Sequence, residues 1–167
     1  ASPPQPNSPS EPMVAELATA LRSRLPGPDI TPAQLRARDW WDGPDIAILV
    51  DDYDLVAGAR GNPLAPLAEF IPHAADIGLH VVVGRRIGGA LRALHDPVLG
   101  AVKDQGATAL ILDGTRDDGP LLGVKPVQRP PGRGSWVVHG RAPRVVQVAA
   151  PPRTFDEASA AKEPAGE

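Results

Sequence analysis

IAILVDDYD at residues 46–54 is an apolar run that ends abruptly in carboxylates. Its first part is rich in β-branched side chains and lacks polar alternation, which is typical of a parallel-sheet strand buried on both faces. The acids then fall at the carboxyl end of that strand. Because open α/β sheets bind ligands at this edge, a carboxylate here is placed to hold a hydrated Mg²⁺ ion against nucleotide phosphates. The stretch therefore predicts a strand of the Walker B type.

Such a strand normally works with a loop of the form Gly-x-x-x-x-Gly-Lys-Ser/Thr, whose backbone amides and lysine hold the β- and γ-phosphates. The 167-residue chain has no such segment, because Lys103, Lys125 and Lys162 all lie outside a Gly-Lys-Ser/Thr context. The sequence thus predicts only the carboxylate half of a nucleotide site.

Composition excludes several other classes of protein. A hydrophobic content of 42% supports one domain with a core, and a net charge of −3 gives no basic footprint for nucleic acid. No stretch approaches the roughly 20 apolar residues that a membrane span needs. The chain has no cysteine, which excludes disulfides and thiolate metal sites, and its four histidines show no metal-ligand spacing. We therefore expect partners that are neither nucleic acid nor the bilayer itself.

The organisation of the chain indicates one folded domain with polar ends. Residues 1–12 are rich in proline and serine and are predicted to be a disordered linker, and residues 150–167 are predicted to be a polar tail. The predicted domain covers residues 13–149. Its helices are predicted at 13–25, from 31 onward, at 63–75, 89–95 and 97–105, its strands at 46–50, 79–83 and 109–112, and β-like pieces at 121–124, 135–139 and 144–148.

A second strand carries a family resemblance. DIGLHVVV at residues 76–83, following a Walker B strand, resembles the Gly-aliphatic-His strand of the FtsK/SpoIIIE branch of RecA-like motor ATPases. Over roughly residues 13–149 the chain is similar to the C-terminal, third ATPase domain of the type VII secretion motor, the EccC family. The motifs that carry this similarity are Leu25-Pro26, Arg38-Asp39-Trp40-Trp41-Asp42-Gly43-Pro44, Val50-Asp51-Asp52-Tyr53-Asp54, Asn62-Pro63-Leu64, Gly88-Gly89-Ala90 with Arg92-Ala93, Asp96-Pro97-Val98-Leu99, Gly119-Pro120-Leu121-Leu122-Gly123 and Pro130-Pro131-Gly132-Arg133-Gly134.

The resemblance implies a RecA-like α/β fold of the P-loop NTPase type, with a mainly parallel sheet flanked by helices, C-terminal edge β-hairpins and an incomplete core. It also implies a fragment of a membrane-associated motor with three ATPase domains in tandem, located on the cytoplasmic side. The last domain of that family docks the C-terminal export signal of WXG100-type proteins. Expected partners are therefore WXG100-type secreted proteins and neighbouring ATPase domains. An uncovered sheet edge adds a homo-oligomer as an alternative.

ATP and Mg²⁺ are the cofactors that the resemblance implies for an intact domain. Because the phosphate-binding loop is absent from the sequence, we expect this fragment to bind neither tightly and to have a degenerate nucleotide site. Asp51 is the predicted Mg²⁺ carboxylate. Asp52 stands where related motors often place a glutamate that orients water, and its shorter side chain predicts weak catalysis. An alternative function is an ATP hydrolase whose phosphate-binding loop comes from another segment or chain.

Four arginines and two tryptophans complete the predicted site. Arg85 and Arg86 follow the second strand, where a guanidinium either pairs with a phosphate or bridges to Asp51 and Asp52, and we favour the bridge. His80, inside that strand, is predicted to be a hydrogen-bonded core residue. The residues predicted to dock a substrate or a neighbouring domain are Trp40, Trp41, Arg92 and Arg133, with core packing the expected role of at least one tryptophan.

Overall fold

The computed structural model describes residues 10–58 and 61–149. Its helices are α1 (Ser10–Arg22), α2 (Pro32–Ala37), α3 (Tyr53–Val56), α4 (Ala90–Ala93) and α5 (Pro97–Asp104), with 3₁₀ helices at Ala65–His73 and Arg116–Asp118. Its strands are β1 (Ile46–Val50), β2 (Leu79–Val83), β3 (Ala109–Ile111), β4 (Arg133–Val137) and β5 (Arg144–Gln147). Helix α1 begins inside the predicted linker, and the rest of that linker and the predicted tail lie outside the described residues.

The strands form two small sheets. Strands β1 and β2 pair in parallel, with Ile48 opposite Val81. Strands β3, β4 and β5 form an antiparallel sheet in that order, with Leu110 opposite Trp136. The predicted α/β fold, with strands at 46–50 and 79–83 and a C-terminal hairpin, is therefore confirmed. The predicted third strand is present as β3, but it pairs with β4 instead of extending the parallel pair.

The core lies on one side of the parallel pair. Helix α1, the 3₁₀ helix Ala65–His73 and the start of α5 pack together against the inward side chains of β1 and β2. Burial of these apolar side chains is the main favourable term in folding. The fully enclosed cluster consists of Val14, Ala18, Leu21, Tyr53, Leu64, Leu67, Phe70, Ile71, Ile77, Leu79, Val98 and Leu99.

Local sequence signals explain where the short helices start. Thr31 accepts a hydrogen bond from the Gln34 amide and, through its own backbone N–H, donates to the Gln34 side chain, so a capping box begins α2. Asp96 caps α5 by accepting from the backbone amides of the following turn. The predicted helix over 63–75 is instead a 3₁₀ helix. Pro72 lies inside it, and a proline there removes one α-helical hydrogen bond and clashes with the preceding turn.

The other face of the parallel pair is exposed. Side chains along β1 and β2 alternate between the core and solvent, and Leu49 and Val82 are 74% and 59% exposed. The prediction that these strands are buried on both faces is therefore wrong for the described residues, because all three core helices pack on the same side. His80 is likewise not a core residue. It lies on the exposed face, where its Nε2 is 2.9 Å from Asp45 Oδ2.

None of the helices within residues 10–58 and 61–149 is long and apolar enough to cross a bilayer.

Because the core is one-sided, substitutions of two leucines should have very different effects on stability. Leu21 on α1 is fully buried and Leu55 on α3 is 76% exposed. We expect Leu21→Ala to lower the free energy of unfolding by about 2–5 kcal/mol, because it leaves a cavity between α1 and the 3₁₀ helix. Leu55→Ala, the matched control, should change it by less than about 0.5 kcal/mol. Urea denaturation of both variants measures the difference, and equal effects would contradict this description of the core.

Candidate functional site

The carboxylates that follow β1 lie at the carboxyl edge of the parallel pair. Asp51 and Asp52 are both exposed, and the Asp52 amide donates to Asp51 Oδ1 at 2.9 Å. The next residue, Tyr53, donates its backbone N–H to Gly84 O at 2.9 Å, which ties the loop after β1 to the loop after β2. We call Asp51, Asp52 and Asp54 the acid rim. The rim lies at the end of β1, as predicted from the sequence, and nucleotide binding there stays a prediction.

Asp52 has a left-handed backbone conformation, with φ 48° and ψ 50°. This region is rare for residues other than glycine and costs about 1 kcal/mol, although aspartate tolerates it better than most. The turn ends β1 abruptly and starts α3 in the next residue. It therefore separates the two neighbouring carboxylates, Asp51 at the strand end and Asp52 at the helix start.

Arg85 forms an ion pair with Asp54 and not with Asp51 or Asp52. Its guanidinium lies 2.6 Å from Asp54 Oδ1, and both side chains are largely buried. The backbone N–H of Arg86 donates to the other oxygen of the same carboxylate at 3.0 Å. The predicted bridge between the two loops exists, but its predicted carboxylate partners are wrong. The reason is geometric, because α3 turns Asp54 back toward β2 while Asp51 and Asp52 point to solvent.

The acid rim suits part of a magnesium site. Mg²⁺ in nucleotide sites is commonly held by one or two carboxylates, with water and phosphate oxygens completing its shell. Asp51 and Asp52 can supply such carboxylates. Within the described ranges no group of three or more histidine, aspartate or glutamate side chains is arranged to hold a metal ion by itself. A Mg²⁺ ion held by Asp51 or Asp52 would take its remaining oxygens from water or from a ligand.

A buried polar cluster behind the rim was not predicted from the sequence. The Tyr53 hydroxyl donates to Asp96 Oδ1 at 2.5 Å, and Asn62 Nδ2 donates to the tyrosine oxygen at 2.7 Å and to Asp96 Oδ2 at 2.9 Å. Asp96 Oδ1 also accepts from the first amides of α5. One carboxylate thus joins α3, the loop at residue 62 and α5. The Asp96-Pro97 pair predicts the helix cap from the sequence. The contact of Asp96 with Tyr53 could not be predicted in this way, because the two residues are 43 positions apart.

Burial of the Tyr53 hydroxyl raises its pKa far above the ordinary value of 10.0, and the hydrogen bond to Asp96 raises that pKa further. Ionising this tyrosine inside the fold would place a phenolate next to a carboxylate. The cluster is therefore stable only while the hydroxyl keeps its proton.

The tryptophans predicted for docking both anchor the corner before β1. Trp40 Nε1 donates to Arg24 O, and Trp41 Nε1 donates to Asp76 O, each at 2.8 Å. The Arg24 guanidinium stacks on the Trp41 ring, 4.4 Å from its centroid. A side chain at Gly78 would collide with the same ring at 2.6 Å. Both indoles are half-buried and hold the corner through these hydrogen bonds, and neither belongs to the buried core cluster.

Arg92 on α4 and Arg133 on β4 are both exposed, as a docking role requires. Elsewhere, a cleft of about 570 Å³ lies between the end of α5 and the β4–β5 hairpin. Its apolar lining includes Leu122, Val124 and Val137. Its charged lining residues are Arg141 and the ion pair of Lys103 with Asp104, at 3.4 Å. The sequence did not predict this cleft, because its walls come from three separate parts of the chain.

Tyr53 is the only tyrosine of the chain, so its ionisation can be followed alone. Above about pH 10 the unfolded chain releases the phenol proton while the folded chain keeps it, and stability should therefore fall as pH rises. We expect urea midpoints to drop between pH 9 and 11 with no tyrosinate absorbance before unfolding. Tyr53→Phe should remove this tyrosine contribution to the pH slope. Tyrosinate absorbance at about pH 10 in the folded protein would contradict the cluster.

Comparison of the sequence with protein-family models found no match. Among curated proteins, the ESX-4 secretion system protein EccC4 of Mycobacterium tuberculosis is 53% identical over 137 residues, which are 81% of this chain and 11% of that protein. The ESX secretion system protein EccC of Thermomonospora curvata is 46% identical over 82% of this chain and 10% of its own length. The ESX-1 protein EccCb1 of Mycolicibacterium smegmatis is 44% identical over 83% of this chain and 24% of its own length.

Solved structures give the same result. The cytoplasmic domain of the type VII secretion ATPase EccC of Thermomonospora curvata superposes with a TM-score of 0.79 at 45% identity, over 84% of this chain and 16% of that one. A structure of ATPases 2 and 3 of that EccC, in complex with a signal sequence peptide, gives a TM-score of 0.80 at 45% identity, over 84% and 25%. The chain thus spans between a tenth and a quarter of the length of these relatives. With sequence and fold in agreement, the chain belongs to the EccC family of type VII secretion ATPases and forms part of one RecA-like ATPase domain.

Proposed function

We propose that this chain is a docking and regulatory module of a type VII secretion motor, with a degenerate nucleotide site. The observation that carries the proposal is its likeness to the EccC ATPases 2 and 3 that are in complex with a signal sequence peptide. The ligand class for this chain is then the C-terminal export signal of WXG100-type proteins. Its place is the cytoplasmic side of the inner-membrane machinery, next to the other ATPase domains of the motor.

The charges around the acid rim support a degenerate nucleotide site. Asp54 already neutralises Arg85, whereas Asp51 and Asp52 face solvent. The other arginine of the loop after β2, Arg86, is exposed. A triphosphate approaching two free carboxylates without a lysine loop meets net repulsion. The chain's own 167 residues supply no such loop. Asp51 therefore keeps a role as a Mg²⁺ carboxylate, and Asp52 a weak catalytic one, only where another segment brings the phosphates.

Docking can influence the rest of the motor through shared contacts. A ligand changes an equilibrium only by binding one arrangement better than another. In this proposal the exposed Arg92 and Arg133 also face a neighbouring ATPase domain, so export-signal binding there favours one interdomain arrangement over another. The proposed regulation is a change in interdomain contacts that affects assembly or hydrolysis elsewhere in the motor.

The alternative function is an ATP hydrolase completed by a phosphate-binding loop from another segment or chain. The position of the acid rim at the carboxyl edge of β1 favours it, because this edge is where nucleotides bind in open α/β folds. In that case ATP and Mg²⁺ are cofactors of the completed domain, while the fragment alone binds neither tightly.

Export-signal docking is tested by titrating the chain with fluorescent C-terminal tails from a panel of WXG100-type proteins. We expect saturable binding of at least one tail. Arg92→Ala and Arg133→Ala should each weaken it by about two- to fivefold, the effect of losing one exposed charge contact. Arg36→Ala, an exposed arginine of α2, is the matched control and should leave binding unchanged. Failure of every tail to bind would overturn the docking proposal.

The nucleotide half-site is tested with labelled ATP and Mg²⁺ by fluorescence anisotropy. We expect binding too weak to saturate at millimolar nucleotide, because one or two carboxylates alone do not hold a triphosphate. Tight binding that Asp51→Ala abolishes and Asp117→Ala does not would instead favour the hydrolase. Asp117 is an exposed aspartate of the 3₁₀ helix Arg116–Asp118, which makes it a suitable charge-matched control.

A further inference from the structure

The last strand of the antiparallel sheet has a free edge. Strand β4 lies between β3 and β5, whereas β5 has no strand neighbour except β4 among the described residues. Val145 in this strand and Val148 just after it are 57% and 45% exposed. A free strand edge with exposed β-branched side chains is a template for another strand, and folded proteins normally cover or blunt such an edge. We therefore looked for a segment that fits beside β5.

The hydrogen bonds of the β4–β5 ladder show which backbone groups of β5 are free. The Val148 N–H donates to Gly132 O at 2.8 Å, in continuation of this ladder. In an antiparallel ladder, alternate residues of a strand direct both backbone groups to the same neighbour. Even-numbered residues of β5 therefore bond to β4. Val145 and Gln147 direct their N–H and C=O groups to the free edge, where no backbone hydrogen bond from the described residues reaches them.

The sequence that follows β5 has the pattern of a hairpin loop and a second strand. It reads APPRTFDE at residues 150–157. Pro151 and Pro152 have no N–H to donate to a ladder, so they suit a loop and not a paired strand. The next residues include threonine and phenylalanine, which favour strands. A loop over residues 148–152 has a common length for a β-hairpin. The chain can thus return along the free edge of β5 directly after leaving it.

One register of this hairpin pairs the side chains favourably. With Phe155 opposite Val145, an aromatic ring lies beside a β-branched side chain, and Asp156 lies opposite Arg144. Aromatic–aliphatic and opposite-charge pairs of this kind both stabilise antiparallel strands. Arg144 is exposed, and none of the ion pairs among residues 10–58 and 61–149 involves it. A shift of two residues in either direction places a charged side chain opposite Val145 instead. The side-chain pattern thus selects the register.

We propose that residues 153–157 add to the free edge of β5 as an antiparallel strand, so that the chain covers its own sheet edge. In this arrangement Val145 exchanges backbone hydrogen bonds with Phe155, and Gln147 exchanges them with Arg153. The Phe155 ring covers the exposed Val145 side chain. The sheet then has four strands, and its last edge carries the charged side chains that normally blunt an edge.

The direction of the added strand leads the chain toward the cleft beside α5. The turn between β4 and β5 lines that cleft, so β5 begins near the cleft and an antiparallel strand runs back to it. Glu157 then lies opposite Pro143 and close to Arg141, which both line the cleft. An extended peptide from elsewhere can pair with β5 only after the added strand has left. This inference is independent of the proposed function, because it uses neither the acid rim nor Arg92 and Arg133.

Disulfide trapping in the full 167-residue chain tests the register, because the chain has no cysteine of its own. Residues 146 and 154 form a non-hydrogen-bonded pair in the proposed register, with Cα atoms about 4.5 Å apart, which a disulfide spans. The test variant is Val146→Cys with Thr154→Cys. The matched control, Val146→Cys with Asp156→Cys, is a diagonal pair about 7 Å apart, at the limit of disulfide geometry.

Under mild oxidation we expect the test pair to form an intramolecular disulfide about tenfold faster than the control pair, because only the test pair lies within easy reach. Mass spectrometry and non-reducing gels measure the rates. Equal rates would overturn the proposed register. A disulfide that forms only between two chains would also overturn the proposal, in favour of a second copy at this edge.

Amide hydrogen exchange of the chain without cysteines tests the backbone pairing. We expect slow exchange at Val145 and Gln147 in the full chain. Phe155→Gly should speed exchange at both by about tenfold, because it removes the aromatic pair and frees the backbone of the added strand. Ser159→Gly, a change outside the added strand, is the control and should leave both rates unchanged.

Three results would overturn the added strand. The first is fast exchange at Val145 and Gln147 in the full chain, and the second is slow exchange that Phe155→Gly does not alter. The third is protection that disappears on dilution or that needs an added export-signal tail, since a second copy or an external peptide would then occupy the edge of β5.

Discussion

The packing of three helices against a single face of the β1–β2 pair is the constraint on which the rest of the structure depends. Because α1, the 3₁₀ helix Ala65–His73 and α5 all bury their apolar side chains on this side, the strands are held flat against one core. Their carboxyl ends then lie side by side, and the acid rim follows from that alignment. The same one-sided packing leaves Leu49 and Val82 in solvent.

Three polar links keep the ends of the strands in register. The Tyr53 amide bonds Gly84 O, Asp54 pairs with Arg85, and the Tyr53 side chain reaches Asp96 at the start of α5. The links run through adjacent residues of α3, so this single turn joins β1, β2 and α5. The largely buried ion pair and the buried hydroxyl are costly to separate from their partners, because separation leaves a polar group without its partner.

The sequence predicted those features that depend on near neighbours. Apolar runs located β1 and β2, and the Thr31-Pro32 and Asp96-Pro97 pairs located the starts of α2 and α5. Features that depend on distant residues were predicted wrongly or missed. His80 looks like a core residue within its strand, and only the side on which α1 packs decides that it is exposed. The choice of Asp54 over Asp51 as the Arg85 partner likewise depends on the direction of α3, and the Tyr53–Asp96 contact joins separate elements.

The charge of the acid rim bears on the proposed nucleotide site. A triphosphate carries several negative charges, and the free carboxylates of Asp51 and Asp52 repel it unless cations are added. Mg²⁺ supplies part of that charge, but it also needs the phosphates to be held from the other side. The proposed export-signal docking at Arg92 and Arg133 does not depend on phosphate binding, so the two proposed activities can be tested separately.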